Sequence, residues 1–166
     1  FMVRGATPDS FPYRSSFINN TVRYRTNTVQ RTADGTFYSI GAAGQNNTAV
    51  IRPEGGRVRY IWKATELLEA GMSSGTISGM KITTTAAVPN VSLFTIRVHA
   101  QSNASLGKTL QNEDFSTVVR RNISFVAGEN HIPFSSPFLW DGITDLVIDI
   151  SCQGAPSTIG ISAAGT

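Results

Sequence analysis

The chain has 166 residues, 15% of them charged, with 15 glycines, one cysteine and a formal net charge of +3. That length supports one domain with a core of its own, and a low charge fraction with abundant Gly, Ser, Thr and Asn excludes a solvated disordered chain in favour of short strands joined by turns. One cysteine excludes an intrachain disulfide, a cysteine zinc site and a paired redox motif, and no apolar run reaches the roughly eighteen residues of a membrane span.

Residues 1–20 (FMVRGATPDSFPYRSSFINN) contain Pro8, Pro12, several aromatics and no period across the stretch, which reads as an extended N-terminal arm ahead of a single domain over 21–166. Phe1 precedes Met2, the order expected of a processed or excised product, and no basic start leads into an apolar signal segment. Phe1, Phe11, Tyr13 and Phe17 would make an exposed arm sticky, so those rings are expected to pack on the domain or on a neighbouring copy.

Thr21 to Thr28 alternates Val22 and Tyr24 with Arg23 and Arg25, and Arg57 to Trp62 repeats the device with Arg57 and Arg59 opposite Val58 and Tyr60. Short strands are expected at Thr36 to Ile40 and Thr48 to Arg52, with a hairpin-type turn at Ala33-Asp34-Gly35. Thr65 to Gly71 carries the one helical signal, a short turn near 65–70 with Thr65 as N-cap and Gly71 as stop. Gly75 to Thr84 and Val91 to His99 read as longer strands, the second with Phe94, Ile96 and Val98 on its core face. Val118 to Cys152 then reads as strand, Gly turn, strand, a Pro-Phe-Leu-Trp plug, an Asp-Gly turn and the strongest strand of the chain. In that last strand Leu146, Ile148 and Ile150 alternate with Val147, Asp149 and Ser151. Thr158 to Ser162 closes the set. About ten antiparallel strands with almost no helix imply an all-β fold, a two-sheet β-sandwich or jelly roll.

Charge is unevenly placed. Residues 1–60 hold eight arginines against Asp9, Asp34 and Glu54, a balance of +5, and residues 61–166 have a balance of −2. The halves are complementary, which suits head-to-tail attraction between copies or polyanion binding.

From Tyr60 onward the order of features includes Tyr60-Ile61-Trp62, Thr65-Glu66-Leu67, Gly75-Thr76-Ile77, Phe94-Thr95-Ile96-Arg97, Gly128-Glu129-Asn130, then Pro137-Phe138 and Trp140-Asp141-Gly142 ahead of Leu146-Val147-Ile148. Over roughly residues 57–152 this resembles a β-sandwich module of secreted and cell-surface proteins of Bacteroidota, many of them sorted by the type IX secretion system. The resemblance implies an exported, non-enzymatic, extracellular or cell-surface module and brings no ligand with it. Asp145 stands where the pattern has Asn. Pro137, Phe138, Trp140, Asp141 and Gly142 read as structural: the rings plug one end of the sandwich and Asp141-Gly142 turns the chain.

Catalytic motifs are missing from the sequence: there is no Gly-x-Ser-x-Gly elbow, no His-Glu-x-x-His and no phosphate-cradling loop. His99 and His131 have no metal-ligand spacing, and His131 reads as a rim histidine rather than a general base. No cofactor is expected; Asp141 and Asp145 form the one calcium candidate, with turn caps as the simpler reading. Cys152 reads as a small buried hydrophobe. The Asn-x-Ser/Thr sequons, from Asn19 to Asn122, follow from Asn/Ser/Thr-rich loops.

Three functions are compatible with this reading. The leading one is a self-assembling exported subunit of a filament or array, with Phe1, Phe11, Tyr13 and Phe17 as the arm and Arg23, Arg25, Arg57 and Arg59 as ion-pair donors to the acidic part of a neighbour. The alternative is an adhesin or carbohydrate-binding module that stacks surface polysaccharide on Tyr24, Tyr38, Tyr60 and Trp62. A viral capsid-like jelly roll ranks third, because nucleic acid is an unfavoured partner for arginines that are spaced rather than blocked.

Overall fold

The structure, a computed structural model, describes residues 20–25, 28–31, 37–39, 46–105 and 114–165. In chain order the elements are β1 (Asn20–Arg25), β2 (Thr28–Arg31), β3 (Phe37–Ser39), β4 (Asn46–Ile51), β5 (Gly56–Trp62), α1 (Ala64–Glu69), β6 (Gly75–Thr84), β7 (Val88–Gln101), β8 (Ser116–Phe125), β9 (Gly128–Trp140), β10 (Asp145–Cys152) and β11 (Ile159–Gly165). Asn20, assigned to the arm on sequence, opens β1; the rest of the arm, with Phe1, Phe11, Tyr13 and Phe17, lies outside the described residues, as does the Ala33-Asp34-Gly35 turn.

The fold is all-β, as expected. In the front sheet β5, β10, β7 and β8 pair in that order, each antiparallel to the next. In the back sheet β6 is central. β9 runs antiparallel along one edge of it, from Gly75↔Trp140 to Thr84↔Gly128, while β2 and β11 share its other edge; β3 flanks β2 and β4 flanks β11. β1 joins the two sheets on one side, antiparallel to β11 and parallel to β5. The opposite side, formed by β8 and β9, has no such joining strand among the described residues.

Period-2 alternation explains the core. Val58, Tyr60 and Trp62 of β5, Phe94, Ile96 and Val98 of β7, and Leu146, Ile148 and Ile150 of β10 meet Ile77, Met80 and Ile82 of β6 in one cluster. Ile132 and Trp140 of β9 and Ile159 and Ile161 of β11 complete it. Each fully buried side chain of this size contributes about 1.5–3 kcal/mol. Cys152 is buried there too, and burial pushes its thiol up to about 11, which leaves it an inert packing residue.

α1 begins two residues earlier than the sequence suggests. Its N-cap is Lys63, not Thr65, and the Glu66 carboxylate accepts from the Lys63 backbone N–H at 3.0 Å. Gly71, at φ +92°, ends it in a Schellman arrangement: Met72 N–H donates to Leu67 O and Gly71 N–H to Leu68 O. Leu67 and Met72, brought together by that motif, are both core residues.

β7 and β8 pair with three shifts of register, two successive ones on β7 and a third where Ile96↔Val119 is followed by Arg97↔Thr117. Val88↔Phe125, Val91↔Ile123 and Phe94↔Arg121 take three residues of β7 for every two of β8, and Asn90 and Leu93 adopt positive φ to absorb the excess. Side chains of β8 satisfy amides displaced from the ladder: Ser124 Oγ accepts from Asn90 N–H at 3.0 Å and Asn122 Oδ1 from Leu93 N–H at 2.9 Å.

The Gly turn between β8 and β9 carries the chain from the front sheet to the back one. Asn130 braces that corner: its Oδ1 accepts from Val126 N–H at 2.9 Å, and its Nδ2 donates to Val126 O and Gly128 O, each at 2.9 Å, and to Thr84 Oγ1 at 3.1 Å. Replacing Asn130 by Ala strands several of these groups and is expected to lower unfolding free energy by about 1–3 kcal/mol. Urea titration followed by tryptophan fluorescence checks this; an unchanged midpoint would mean that the corner holds without the amide.

Candidate functional site

The most highly charged cluster sits on the outer face of the front sheet. β10 is the middle strand of three, and the register sets Asp149 directly opposite Arg59 of β5 on one side and Arg97 of β7 on the other. Because period 2 points Ile148 and Ile150 into the core, Asp149 points outward, with the arginines of its neighbours. Asp149 Oδ2 accepts from Arg57 Nε at 2.5 Å and Arg59 Nε at 2.8 Å, and Oδ1 accepts from Arg97 Nη2 at 3.0 Å. The carboxylate is fully buried and the three guanidinium groups are nearly so.

The cover comes from the chain after β7. Phe115 lies over two guanidinium groups, 4.8 Å from Arg59 Cζ and 5.1 Å from Arg97 Cζ to its ring centroid. Beside it Ile61, Val147 and Ala104 form a second small apolar cluster, so β10 is buried on both faces. Burial raises the Asp149 carboxyl above its usual value, opposed by the charge of Arg97 and by the hydrogen bond and charge of Arg59. The three guanidinium contacts favour its ionised form against that burial.

A second buried carboxylate lies on the same strand four residues earlier. Asp145 Oδ1 accepts from Ala64 N–H at 2.9 Å, and Oδ2 accepts from Lys63 Nζ and Ala104 N–H, each at 2.8 Å. Lys63 Nζ also donates to Ala104 O at 2.5 Å. Every partner of the carboxylate is a donor, one of them a cation, which is why Asp rather than Asn serves here. Desolvation raises this carboxyl, but the hydrogen bonds from Lys63, Ala64 and Ala104 and the Lys63 charge outweigh it and hold the group below its ordinary value.

Both carboxylates of the calcium candidate have protein donors. Asp145 is engaged as described, while Asp141 Oδ1 accepts from Ile143 N–H, Thr144 N–H and Thr144 Oγ1 at 2.8–2.9 Å, the turn cap of the simpler reading. Those bonds lower the Asp141 carboxyl. In the rest of the box Trp140 is buried with Nε1 donating to Thr144 O at 2.8 Å, Phe138 packs against the core, and Gly142 turns at φ +85° where an added Cβ would meet Ser74 at 3.0 Å. Pro137 lies within β9, so the box ends a strand rather than forming a separate plug.

Other sequence candidates move. Tyr60 and Trp62 are fully buried and offer no stacking platform, because they share the parity of Val58 on the core side of β5. Tyr38 is half-buried against the core. The side chains of Tyr24, Arg23 and Arg25 lie outside the described residues. Arg57 and Arg59 do pair with the acidic half of the sequence, but with Asp149 of their own chain, which corrects their expected role as donors to a neighbour. His131 meets Phe37 edge-on at 5.1 Å beside the Lys81–Glu129 ion pair, and His99 Nδ1 lies 3.0 Å from Asp114 O. Sequence reasoning missed the clasp because Asp149 is 90 residues from Arg59 and 52 from Arg97. One signal was available: a charged residue at mid-strand in both Leu146-Val147-Ile148-Asp149-Ile150 and Phe94-Thr95-Ile96-Arg97-Val98.

The sheet edges are unequal. Among the described residues, β8 pairs with β7 alone and β9 with β6 alone. β9 contains Pro133 and Pro137, which have no N–H to give; β3 and β4 have three and six residues. β8 offers ten residues without proline. Among the described residues it is the longest edge strand without proline.

No protein-family model, curated protein or solved structure matches the chain.

Two outcomes test the site. Asp149→Asn keeps the size but leaves the guanidinium groups without their buried counter-charge, and is expected to cost about 3–5 kcal/mol in urea unfolding; a loss near zero would remove the clasp as a determinant of stability. For Asp145, whose folded value lies below 3.8, the stabilising contribution is complete above about pH 5 and is lost as pH falls through the folded value. The stability gap between the native chain and Asp145→Asn should therefore be largest near neutrality and close in acid. A gap that does not change with pH would contradict this.

Proposed function

We propose that the chain is a non-enzymatic structural subunit that self-associates into an exported surface filament or array when the N-terminal arm of one copy adds a strand to an open sheet edge of the next. The observation that carries this reading is β8, ten residues with a hydrogen-bonded neighbour on one side only among the described residues. An unpaired row of N–H and C=O groups is a template for another strand, with main-chain bonds supplying affinity and alternate side chains supplying register. The arm suits such use, since its aromatic residues need cover. Export to the cell surface rests on the likeness of residues 57–152 to secreted sandwich modules. The polysaccharide reading has lost Tyr60 and Trp62 to the core and is not carried further.

Light scattering and negative-stain microscopy of the intact chain, beside a variant lacking residues 1–19, test the reading. Regular polymers are expected from the intact chain and monomers from the variant, whose described sandwich is complete. An intact chain that stays monomeric at high concentration would overturn it.

A further inference from the structure

The two sides of the sandwich differ in a way that decides which copy the arm can reach. β1, which the arm immediately precedes, lies beyond β5 from the rest of the front sheet, in the order β1-β5-β10-β7-β8. A strand added outside β8 therefore lies five strand spacings from β1, about 24 Å at about 4.8 Å each. From Phe17 to Asn20 the chain spans at most about 10 Å. An arm strand that includes residues 9–17 cannot reach the β8 of its own chain.

Parity within the arm supplies a second constraint. In an extended strand the N–H and C=O of one residue point to one lateral side and those of the next to the other. Pro8 and Pro12 are both even-numbered, so both gaps in the donor row fall on the same side, and the odd row at 9, 11, 13, 15 and 17 is complete. Phe11, Tyr13 and Phe17 also share the odd parity and hence one face, while Ser10, Arg14 and Ser16 take the other. Proline in a sheet belongs on an edge strand with its nitrogen turned outward.

From these two facts, and resting on the self-assembly reading above, we infer that residues 9–17 add in trans to the outer edge of β8 of a second copy, odd-numbered residues hydrogen-bonded to β8 and both prolines facing solvent. β5 and β7 run in one direction and β10 and β8 in the other, and β1 is parallel to β5. Between copies related by translation, an arm that continues the direction of β1 meets the neighbouring β8 antiparallel, the sense of its pairing with β7. Donor and acceptor lie on opposite sides of the molecule, so each copy gives on one side and receives on the other. The contact is heterologous, and its repetition links copies into an open chain.

A matched pair of proline substitutions in the full chain tests this. Ser15→Pro removes an N–H from the pairing row; Ser16→Pro removes one from the outward row. Both lie outside the described sandwich, and circular dichroism confirms folding of each. Loss of one ladder bond and the register beside it should weaken association about tenfold or more for Ser15→Pro, with Ser16→Pro close to the native chain. A synthetic peptide of residues 1–19, added in excess to the native chain, should shorten the polymers by occupying β8. Polymers that form equally in both variants and ignore the peptide would overturn the trans strand while leaving self-assembly standing. A native chain that never polymerises would overturn both.

Discussion

A single buried carboxylate, Asp149, holds the front sheet in register. It lies in the middle of the central strand and takes one arginine from each flanking strand directly across the ladder, with Arg57 added on the diagonal. A one-residue slip of β10 would turn Asp149 into the apolar core and Ile148 or Ile150 toward three guanidinium groups, an arrangement far costlier than the loss of a few ladder bonds. Buried ion pairs add less net stability than their Coulomb energy suggests, because desolvation opposes it. What this clasp supplies is specificity: few alternative registers satisfy both the apolar face and the charge row. Phe115 and the Ile61-Val147-Ala104 cluster keep water from the row and so depend on it in turn.

Much of the fold was legible in the sequence because period 2 is a local signal. β6 occupies the 75–84 expected of it, and the alternation of Leu146, Ile148 and Ile150 identifies the inner face of β10. Parity says that a strand has two faces; it does not say whether the second is covered. Arg57 and Arg59 therefore read as exposed donors, although their partner was the acid at the middle of a strongly apolar strand. Tyr60 and Trp62 were misplaced for a different reason: aromatic identity suggested a binding platform, while their parity with Val58 already assigned them to the core. The Lys63 cap, the Asn130 brace and the three-for-two bulges of β7 all depend on partners distant in the chain or on backbone turns that tolerate many residue types, and no local pattern announces them.

The asymmetry of the molecule follows from how its sheets close. On one side β1 bonds to both β11 and β5 and leaves little open; on the other, β8 and β9 lie side by side without a shared strand among the described residues. β9 is blunted by Pro133 and Pro137, whereas β8, carrying Arg120 and Arg121 but no proline, keeps its donors. An edge of that length on a small sandwich invites a partner, and β1, which follows the arm in sequence, lies four strand positions away from β8. The clasp and the edge are connected: Arg97, which binds Asp149, lies on β7, the strand that presents β8. The ion-paired centre of the sheet is thus one strand removed from its rim.

Amide hydrogen exchange on the intact chain, at dilute and at assembling concentrations, tests the trans pairing most directly. The account predicts that residues 9–17 and 116–125 gain protection together as concentration rises, with the β10 amides already protected in both conditions. An arm equally protected at high dilution, or a β8 that stays unchanged while polymers form, would contradict it.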